Sequence, residues 1–527
     1  MRKLILTILV LLGLLANAQY RNPVLSGFHP DPSVVRVDSD YYMVCSSFQY
    51  FPGVPVFHSR DLVNWQQIGN VLNRPSQLPL ANATSSTGIF APTIRYHAGT
   101  FYMITTNVGQ GKDGQSGNFL VTATRPEGPW SDPVWLKQGG IDPSLYFEDG
   151  HCYMVSNPDN TITLCEIDPK TGRQLTASRP LWRGMGGRYP EAPHIYKKDG
   201  YYYLLISEGG TELAHSLTIA RSRRITGPYE ANPANPILTH CSLLAQNNLI
   251  QGTGHGDFVQ AVDGQWWLLC LGYRHHNGAH HHMGRETFLA PVSWPKGGWP
   301  VVNGGEPLDT LMEANPCGYV PGSQPAVVKR CYDFHESAGP EWIHIQNPDE
   351  SKYLWGDGRL RMMGSPNQLW HNEQPSFWGI RQEHPTFTLT TKISQFDSES
   401  GDEAGLAVYQ SHDGNVQLFL NNFQGDMRVK LRFQLKSLNV QKAERQIKMT
   451  NGLWLRVASD GHKYSFYYSV NGQKFHLLDS FDCSLLSSET IGGFTGAVLG
   501  LYVYMGSGRH QSGYSFADFD YFDYEGR

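Results

Sequence analysis

The sequence has few charged side chains, and the charges it has show no basic excess. Charged residues make up 17% of the 527 residues, with 42 Lys and Arg against 47 Asp and Glu, and the formal net charge is −5. A soluble domain usually carries about 25% charged residues. This composition excludes a disordered chain and a coiled coil. It also argues against nucleic-acid binding, which needs a basic surface.

The chain also lacks a disulfide framework and an apolar run long enough to cross a membrane. None of its eight cysteines forms a C-x-x-C pair, and we interpret them as free, buried thiols. The one long apolar run, Leu4 to Leu15, is shorter than the roughly 20 residues of a membrane helix. Two basic residues precede it and a small-residue cleavage site follows, so residues 1–18 are predicted to be a signal peptide. We therefore expect an exported, periplasmic protein; the alternative is an uncleaved anchor.

Aromatic residues and turn formers are abundant. The chain contains 27 Tyr, 24 Phe and 13 Trp together with 55 Gly and 32 Pro. This combination favours an all-β protein with many turns. Aromatic faces of this kind often stack on neutral ligands such as sugars.

A repeat organises the first 300 residues. Five segments share one plan, a polar turn followed by an aromatic-rich apolar strand, and they recur every 50 to 65 residues or so. The turns begin at Asp38, Ala98, Asp149, Asp199 and Asp263. This spacing is typical of propeller blades and predicts a five-bladed β-propeller over residues 19–310.

Equivalent positions of the repeat carry chemically active side chains. Counting back nine residues from Asp40, Gly99, Gly200 and Gly264 reaches Asp31, Phe90, Glu191 and His255, and counting back eight from Gly150 reaches Asp142. The first strand of each propeller blade lines the central channel, so we expect these five side chains to meet in one funnel.

The rest of the chain does not follow the repeat. Residues 311–330 are rich in Gly and Pro and are predicted to be a linker. Residues 331–527 alternate apolar and polar side chains again, which predicts a β-sandwich of the lectin-like jelly-roll type.

Three acids in an aromatic funnel point to a reaction class. Alone, Asp31, Asp142 and Glu191 could each be a turn or surface residue, but all three lie beside prolines at matching positions of the repeat. Glycoside hydrolysis needs one protonated acid for the leaving group and one ionised carboxylate that activates water or attacks. A third acid can raise the pKa of the general acid by repulsion between like charges.

The chain resembles glycoside hydrolase family 43, in particular its two-domain β-xylosidases and α-L-arabinofuranosidases. The motifs that carry this resemblance are residues 29–33 (HPDPS), 90–92 (FAP), 140–144 (GIDPS), 191–194 (EAPH), 284–287 (GRET), 493–497 (GFTGA) and 517–522 (ADFDYF). The resemblance implies an inverting mechanism. Asp31 would be the general base, Glu191 the general acid, and Asp142 the residue that tunes and orients that acid.

The resemblance also implies contacts with the sugar. Arg285 would bind its hydroxyls, with a structural salt bridge as the alternative. Phe48, Phe90 and Phe494 would wall the pocket, with ordinary core packing as the alternative for Phe48 and Phe494. His255 would lie on the channel axis and contact a calcium ion or an ordered water, although no cofactor is required.

A histidine-rich segment precedes Arg285. It contains His275, His276, His280, His281 and His282. We interpret it as a solvated rim loop that contacts the leaving sugar, with an adventitious metal site as the alternative.

Together these features predict an exo-acting inverting enzyme that releases terminal α-L-arabinofuranose from plant hemicellulose oligosaccharides, with β-D-xylosidase side activity. Phe90 stands where related β-xylosidases often carry Trp, and the short rim loop leaves a more open leaving-group side; both favour arabinofuranose. The alternatives are a primary β-D-xylosidase, a non-catalytic carbohydrate-binding propeller and a scaffold that binds protein partners. The parent polysaccharide and the oligomeric state stay open.

Overall fold

The computed structural model describes residues 19–110, 115–336, 338–506 and 514–527. The predicted signal peptide, residues 1–18, lies outside the described residues. Nearly all regular structure in the described ranges is β-strand. None of the helices found there has the length and apolar character needed to cross a membrane.

Five antiparallel sheets, which we call blades I to V, form the first domain and confirm the predicted five-bladed propeller. The strands of blade I are Ser33–Val37, Asp40–Val44, Gly53–Ser59 and Gln66–Leu72; of blade II, Gly88–Ile89, Thr93–His97, Thr100–Val108, Gly117–Ala123 and Val134–Trp135; of blade III, Ile141–Glu148, His151–Asn157, Ile162–Glu166 and Arg179–Trp182; of blade IV, Glu191–Lys198, Tyr201–Glu208, Ser216–Ser222, Glu230–Ala231 and Leu238–Thr239; of blade V, Ile250–Gln260, Trp266–Arg274, Glu286–Ser293 and Val301–Val302.

The predicted turns join the inner strands of the blades. In blade IV, Asp199 and Gly200 connect two paired strands with φ angles of 50° and 75°. A two-residue hairpin loop of this kind needs positive φ at both positions, which Asp tolerates and Gly adopts freely. Ala98–Gly99 of blade II and Asp149–Gly150 of blade III have the same pair of positive φ angles, so this turn sets the register of the inner hairpin in blades II to IV.

The first described strand packs beside the last blade of the propeller. Tyr20–Arg21 pairs with Leu311–Met312. The side-chain amide of Asn22 donates to the carbonyl of Leu289 and accepts from its N–H, at 2.9 and 3.0 Å. These bonds hold the segment of residues 20–22 beside blade V.

A buried ionic network fills the channel below the funnel. Arg95 of blade II donates to Asp257 of blade V at 2.7 Å, and Tyr196 and Ser33 donate to the same carboxylate at 2.6 and 2.8 Å. Burial opposes ionisation of Asp257, but Arg95 outweighs burial and lowers the pKa of the carboxyl to about 2. The network joins four of the five blades, I, II, IV and V, through the one carboxylate of Asp257.

Two packed sheets form the second domain, as the alternating sequence predicts. The large sheet contains Val328–Tyr332, Tyr353–Gly356, Arg359–Met363, Thr386–Asp397, Leu453–Asp460, Lys463–Ser469, His476–Asp482 and Phe516–Gly526. The small sheet contains Ser376–Arg381, Glu403–Ser411, Gly414–Phe423, Asp426–Leu435, Leu438–Gln446 and Val498–Tyr504. Of the four short helices in the described ranges, Asn303–Gly305 follows the last strand of blade V, and the second domain contains Glu350–Lys352, Cys483–Leu486 and Ser488–Ile491. Apolar side chains of the two sheets meet in one core.

The two domains share a strand pair and a hydrophobic cluster. Tyr50–Phe51, between blade I strands, pairs with His344–Ile345 ahead of the sandwich. Phe28, Phe48 and Tyr50 of the propeller pack in one cluster with side chains of the small sheet, including Phe377 and Tyr409. The sandwich is therefore built onto the face of the propeller that carries the funnel.

Two sequence interpretations need revision. The segment predicted as a linker, residues 311–330, begins with strand Leu311–Met312 and ends within strand Val328–Tyr332. All eight cysteines are free, as expected, but the prediction that they are buried is wrong for Cys241 and Cys331, which are exposed, and Cys317 is half-buried. These three lie in loops or at a sheet edge, where no second layer covers them.

Candidate active site

The predicted funnel residues lie together. One cavity of about 350 Å³ is lined by all eight side chains that the sequence analysis proposes: Asp31, Phe48, Phe90, Asp142, Glu191, His255, Arg285 and Phe494. Residues more than 450 positions apart in sequence thus share one site.

Irregular backbone aims the acids into this cavity. Asp31 and Asp142 have φ angles of 57° and 53°, and His255 has 40°. The strand register shifts between Ile141 and Ser144 and again between Glu191 and His194. Positive φ at a non-glycine residue costs about 1–3 kcal/mol and is typical of functional sites. A bulge of this kind turns a side chain away from the regular sheet direction.

Asp31 is buried and surrounded by donors. Arg285 Nη1 donates to its Oδ1 at 3.0 Å, the Ser46 hydroxyl donates to its Oδ2, and His255 Nδ1 lies 3.6 Å from Oδ1. Burial alone would raise the pKa of Asp31. Arg285, His255 and Ser46 outweigh it, and the pKa of Asp31 lies below its usual value. Asp31 is therefore ionised at neutral pH.

Asp142 and Glu191 are shifted in the opposite direction. Burial, followed by repulsion from Asp31, raises the pKa of Asp142 to about 6, although His255 and the N–H of Ala192 counteract part of this. Burial and the charges of Asp142 and Asp31 raise the pKa of Glu191 well above its usual value, against the influence of Arg285. Acids with pKa values pushed apart in one pocket are typical of acid–base catalysis.

His215 is a site neighbour that the sequence analysis missed. Its Nδ1 lies 3.2 Å from the carbonyl of Gly252, so Nδ1 carries the proton and Nε2 presents a lone pair 4.0 Å from Glu191 Oε1. Burial lowers the pKa of His215 to about 3, so the ring is neutral. A Cβ on Gly254 would lie 2.4 Å from this ring, so glycine is required there. His215 lies outside the repeated positions, and only its proximity in the fold reveals it.

Three phenylalanines form an aromatic wall. The Phe48 ring lies 5.3 Å from Phe90 and stacks on Phe494 at 6.1 Å. The Arg285 guanidinium lies 5.7 Å from both the Phe48 and Phe494 ring centres. Phe494 comes from the sandwich and is 38% exposed, whereas Phe48 is buried. Phe494 therefore closes the pocket from the second domain. Arg285 also makes an ion pair with Asp31, the alternative role that its place in the sequence left open.

Six further residues line the cavity, and three of them form the loop 210–212. The six are Ala91, Ile141, Tyr189, Gly210, Thr211 and Glu212. Thr211 accepts a hydrogen bond from Arg285 Nη1 at 3.1 Å. Nothing in the blade repeat marks the 210–212 loop, which explains why the sequence analysis did not find it.

The comparisons with known proteins agree with this geometry. Residues 20–300 match the model of glycosyl hydrolases family 43, and residues 331–525 match that of the beta xylosidase C-terminal concanavalin A-like domain. The chain is 40% identical, over 98% of each sequence, to a protein of Bacteroides ovatus named non-reducing end alpha-L-arabinofuranosidase BoGH43B. It is 37% identical to a xylosidase/arabinosidase of Butyrivibrio fibrisolvens, over 96% of this chain and 99% of that one.

The chain belongs to glycosyl hydrolase family 43. It is a glycosidase, as the resemblance of its motifs implies. A solved structure titled Bacteroides ovatus Xyloglucan PUL GH43B is similar to it, with a TM-score of 0.89 and 39% identity. The match covers 96% of this chain and 99% of the solved chain.

The calcium ion considered for the family 43 channel stays a prediction. Calcium takes six to eight oxygen ligands. The two carboxylates that face His255 Nδ1 each have another donor, Arg285 for Asp31 and the Ala192 N–H for Asp142. This donor set by itself does not make a calcium shell.

The histidine segment of this family 43 chain divides into two groups. His275 and His281 face Glu489 of the sandwich beside the cavity, whereas His282 is buried against His276 and Tyr464. The segment is thus only partly the solvated loop that the sequence predicts. Because successive residues of the loop point to opposite sides, its composition alone did not separate the two groups.

Proposed function

We propose that this family 43 glycosidase is an exo-acting, inverting α-L-arabinofuranosidase with β-D-xylosidase side activity. The observation that carries the proposal is the divergence of two pKa values in one cavity, with Asp31 lowered and Glu191 raised. An inverting glycosidase needs this pair of protonation states at the same time.

In the proposed step, Asp31 removes a proton from a water molecule on one face of the sugar. The water oxygen forms a bond to the anomeric carbon while the glycosidic C–O bond breaks. Glu191 gives its proton to the leaving oxygen, so the products are a free pentose of inverted configuration and a shortened alcohol. Asp142 raises the pKa of Glu191 and keeps it protonated until that moment.

Sugar recognition is assigned to the pocket walls. Arg285 would donate to the sugar hydroxyls, and Phe48, Phe90 and Phe494 would pack against the ring. Because Phe494 and the sandwich wall one side of the pocket, we expect a terminal sugar to fit better than an internal one.

Two observations support the choice of arabinofuranose. Phe90 is smaller than the Trp that related β-xylosidases often carry at this position, and the Bacteroides ovatus relative is named as an arabinofuranosidase. A primary β-D-xylosidase is the second candidate, because other relatives are named beta-xylosidase or xylosidase/arabinosidase. Oligosaccharides from arabinoxylan, arabinan or xyloglucan would be the substrates. We further propose that residues 1–18 direct the enzyme to the periplasm.

The test is the ratio of hydrolysis rates for an aryl α-L-arabinofuranoside and an aryl β-D-xyloside. A ratio above one supports the proposal, and the reverse makes the enzyme a xylosidase. Sugar binding without release from either substrate would leave only a carbohydrate-binding propeller. Proton NMR of the first anomer released should show inversion.

Two variants test the roles. Asp31→Ala should remove turnover of every substrate, since it deletes the carboxylate proposed to activate water. Glu191→Ala should slow poor leaving groups far more than activated aryl ones, and equal losses on both would contradict its role as the acid.

A further inference from the structure

A cluster of three potential metal ligands lies outside the catalytic acids, where the propeller meets the sandwich. The side chains of His275, His281 and Glu489 have ligand atoms that all lie within 4.8 Å of one another. His281 Nδ1 is 2.6 Å from Glu489 Oε1, and His275 Nε2 is 3.8 Å from the same oxygen. We propose that these three residues bind a divalent transition-metal ion, of which zinc is the best match.

The donor set fits this class of metal. Two imidazole nitrogens and one carboxylate oxygen are the ligand types that zinc binds at about 2.0–2.2 Å. Hard cations such as calcium need many more oxygens. On binding, the side chains of His275 and Glu489 would rotate to bring their atoms to this distance from a common centre, and the ion would take the place of the His281 Nδ1 proton. That proton leaves to solvent.

The ligands are held by their neighbours. The His281 ring stacks on Tyr273 with centroids 4.0 Å apart, and the His275 ring lies 5.4 Å from the same tyrosine. The backbone N–H of His281 donates to the second oxygen of Glu489 at 3.0 Å. Such contacts fix ring and carboxylate orientation, as the outer partners of established metal sites do.

An ion could reach this position and keep a free coordination site. His275, His281 and Glu489 line a second cavity of about 350 Å³, which also borders Arg285 and Phe494. Their side chains are 16%, 10% and 31% exposed, so the cluster is shielded but reachable. Among the residues described by the structure, this is the one group of at least three such ligands found. Because zinc usually takes four ligands, three protein ligands would leave the fourth position for water.

Binding would link the two domains beside the catalytic pocket. His275 and His281 belong to the loop between two strands of blade V, whereas Glu489 lies in helix Ser488–Ile491, shortly before Phe494. The ion would therefore fasten the segment that carries Phe494 to the propeller. It plays no part in the proposed hydrolytic step.

The test is titration of the full chain with Zn²⁺ by calorimetry, after treatment with a chelator and without a histidine tag. We expect one equivalent to bind and the melting temperature to rise. His281→Ala and Glu489→Gln should each weaken binding by at least about tenfold. His280→Ala is the matched control, because His280 bonds the Asn277 carbonyl within its own loop and should leave binding unchanged.

Two results would overturn the proposal: no Zn²⁺ binding by the native chain, or unchanged binding by both His281→Ala and Glu489→Gln. Glu489→Gln keeps the size of the side chain, so it guards against a folding defect in the alanine variant. Co²⁺ gives a second measurement, since visible absorption bands typical of tetrahedral coordination should appear in the native chain and disappear in the two variants. These readouts use no glycoside and do not depend on the proposed hydrolase function.

Discussion

Arg285 Nη1 and Asp31 Oδ1 lie 3.0 Å apart, and both side chains are buried. The pair joins a blade V residue to the start of blade I across the mouth of the funnel. After burial, Arg285 is the strongest influence on the Asp31 carboxyl, and it acts in the opposite direction by favouring the ionised form. This contact therefore links the proposed sugar-binding residue to the protonation state of the proposed base.

Replacing Arg285 with Gln should raise the pKa of Asp31, because a positive charge beside the carboxylate is lost. The proposed mechanism requires ionised Asp31, so the acidic limb of kcat/KM against pH should move to higher pH in the variant. Arg36→Gln, on an exposed strand position, is the control and should leave the profile in place. An unmoved acidic limb would contradict the assignment of Asp31.

Replacing Asp142 with Asn should affect the opposite limb. The charge of Asp142 is the largest influence after burial that raises the pKa of Glu191. Without it that pKa falls, Glu191 loses its proton at lower pH, and the alkaline limb of kcat/KM should move to lower pH. A profile that differs from the native one only in height would assign Asp142 a purely positional role.

Phe494→Ala should weaken substrate binding without unfolding the protein. Full burial of a phenylalanine contributes about 1.5–3 kcal/mol, and 1.4 kcal/mol corresponds to a tenfold change in affinity. Since Phe494 is 38% exposed, we expect KM to rise by about tenfold, with a small change in kcat. Phe423→Ala, at a similarly exposed sandwich position, should change neither constant.

Asp257→Asn should destabilise the propeller. It removes the charge that compensates Arg95, and breaking a buried ion pair costs about 3–5 kcal/mol. Thermal or urea unfolding should show this loss. The control is Asp263→Asn in the exposed turn of the same blade, which should lie within about 0.5 kcal/mol of the native chain. Equal stability of the two variants would mean that the channel network contributes nothing.

The blade repeat in the sequence predicted the five site residues that occupy equivalent positions in the blades. Asp31, Phe90, Asp142, Glu191 and His255 occupy equivalent positions, so strand periodicity alone brought them to one axis. Phe494 and Arg285 came from the family resemblance, because no local pattern reports a contact between two domains.

Other features could not be read from the sequence for physical reasons. His215 and Thr211 reach the site from parts of blade IV that have no counterpart in the other blades. The two sides of the 275–282 loop depend on its path between propeller and sandwich. The exposure of Cys241 and Cys331 likewise depends on which loops and edges stay uncovered.

The ladder between Tyr50–Phe51 and His344–Ile345 has a consequence for dissecting the enzyme. Cutting the chain after the propeller would strip the cover from Phe28, Phe48 and Tyr50 and delete Phe494 along with it. The truncated product would expose an apolar aromatic surface to water and tend to aggregate. Because the sandwich supplies one wall of the proposed sugar pocket, it should be exchanged between enzymes only together with the propeller face on which it packs.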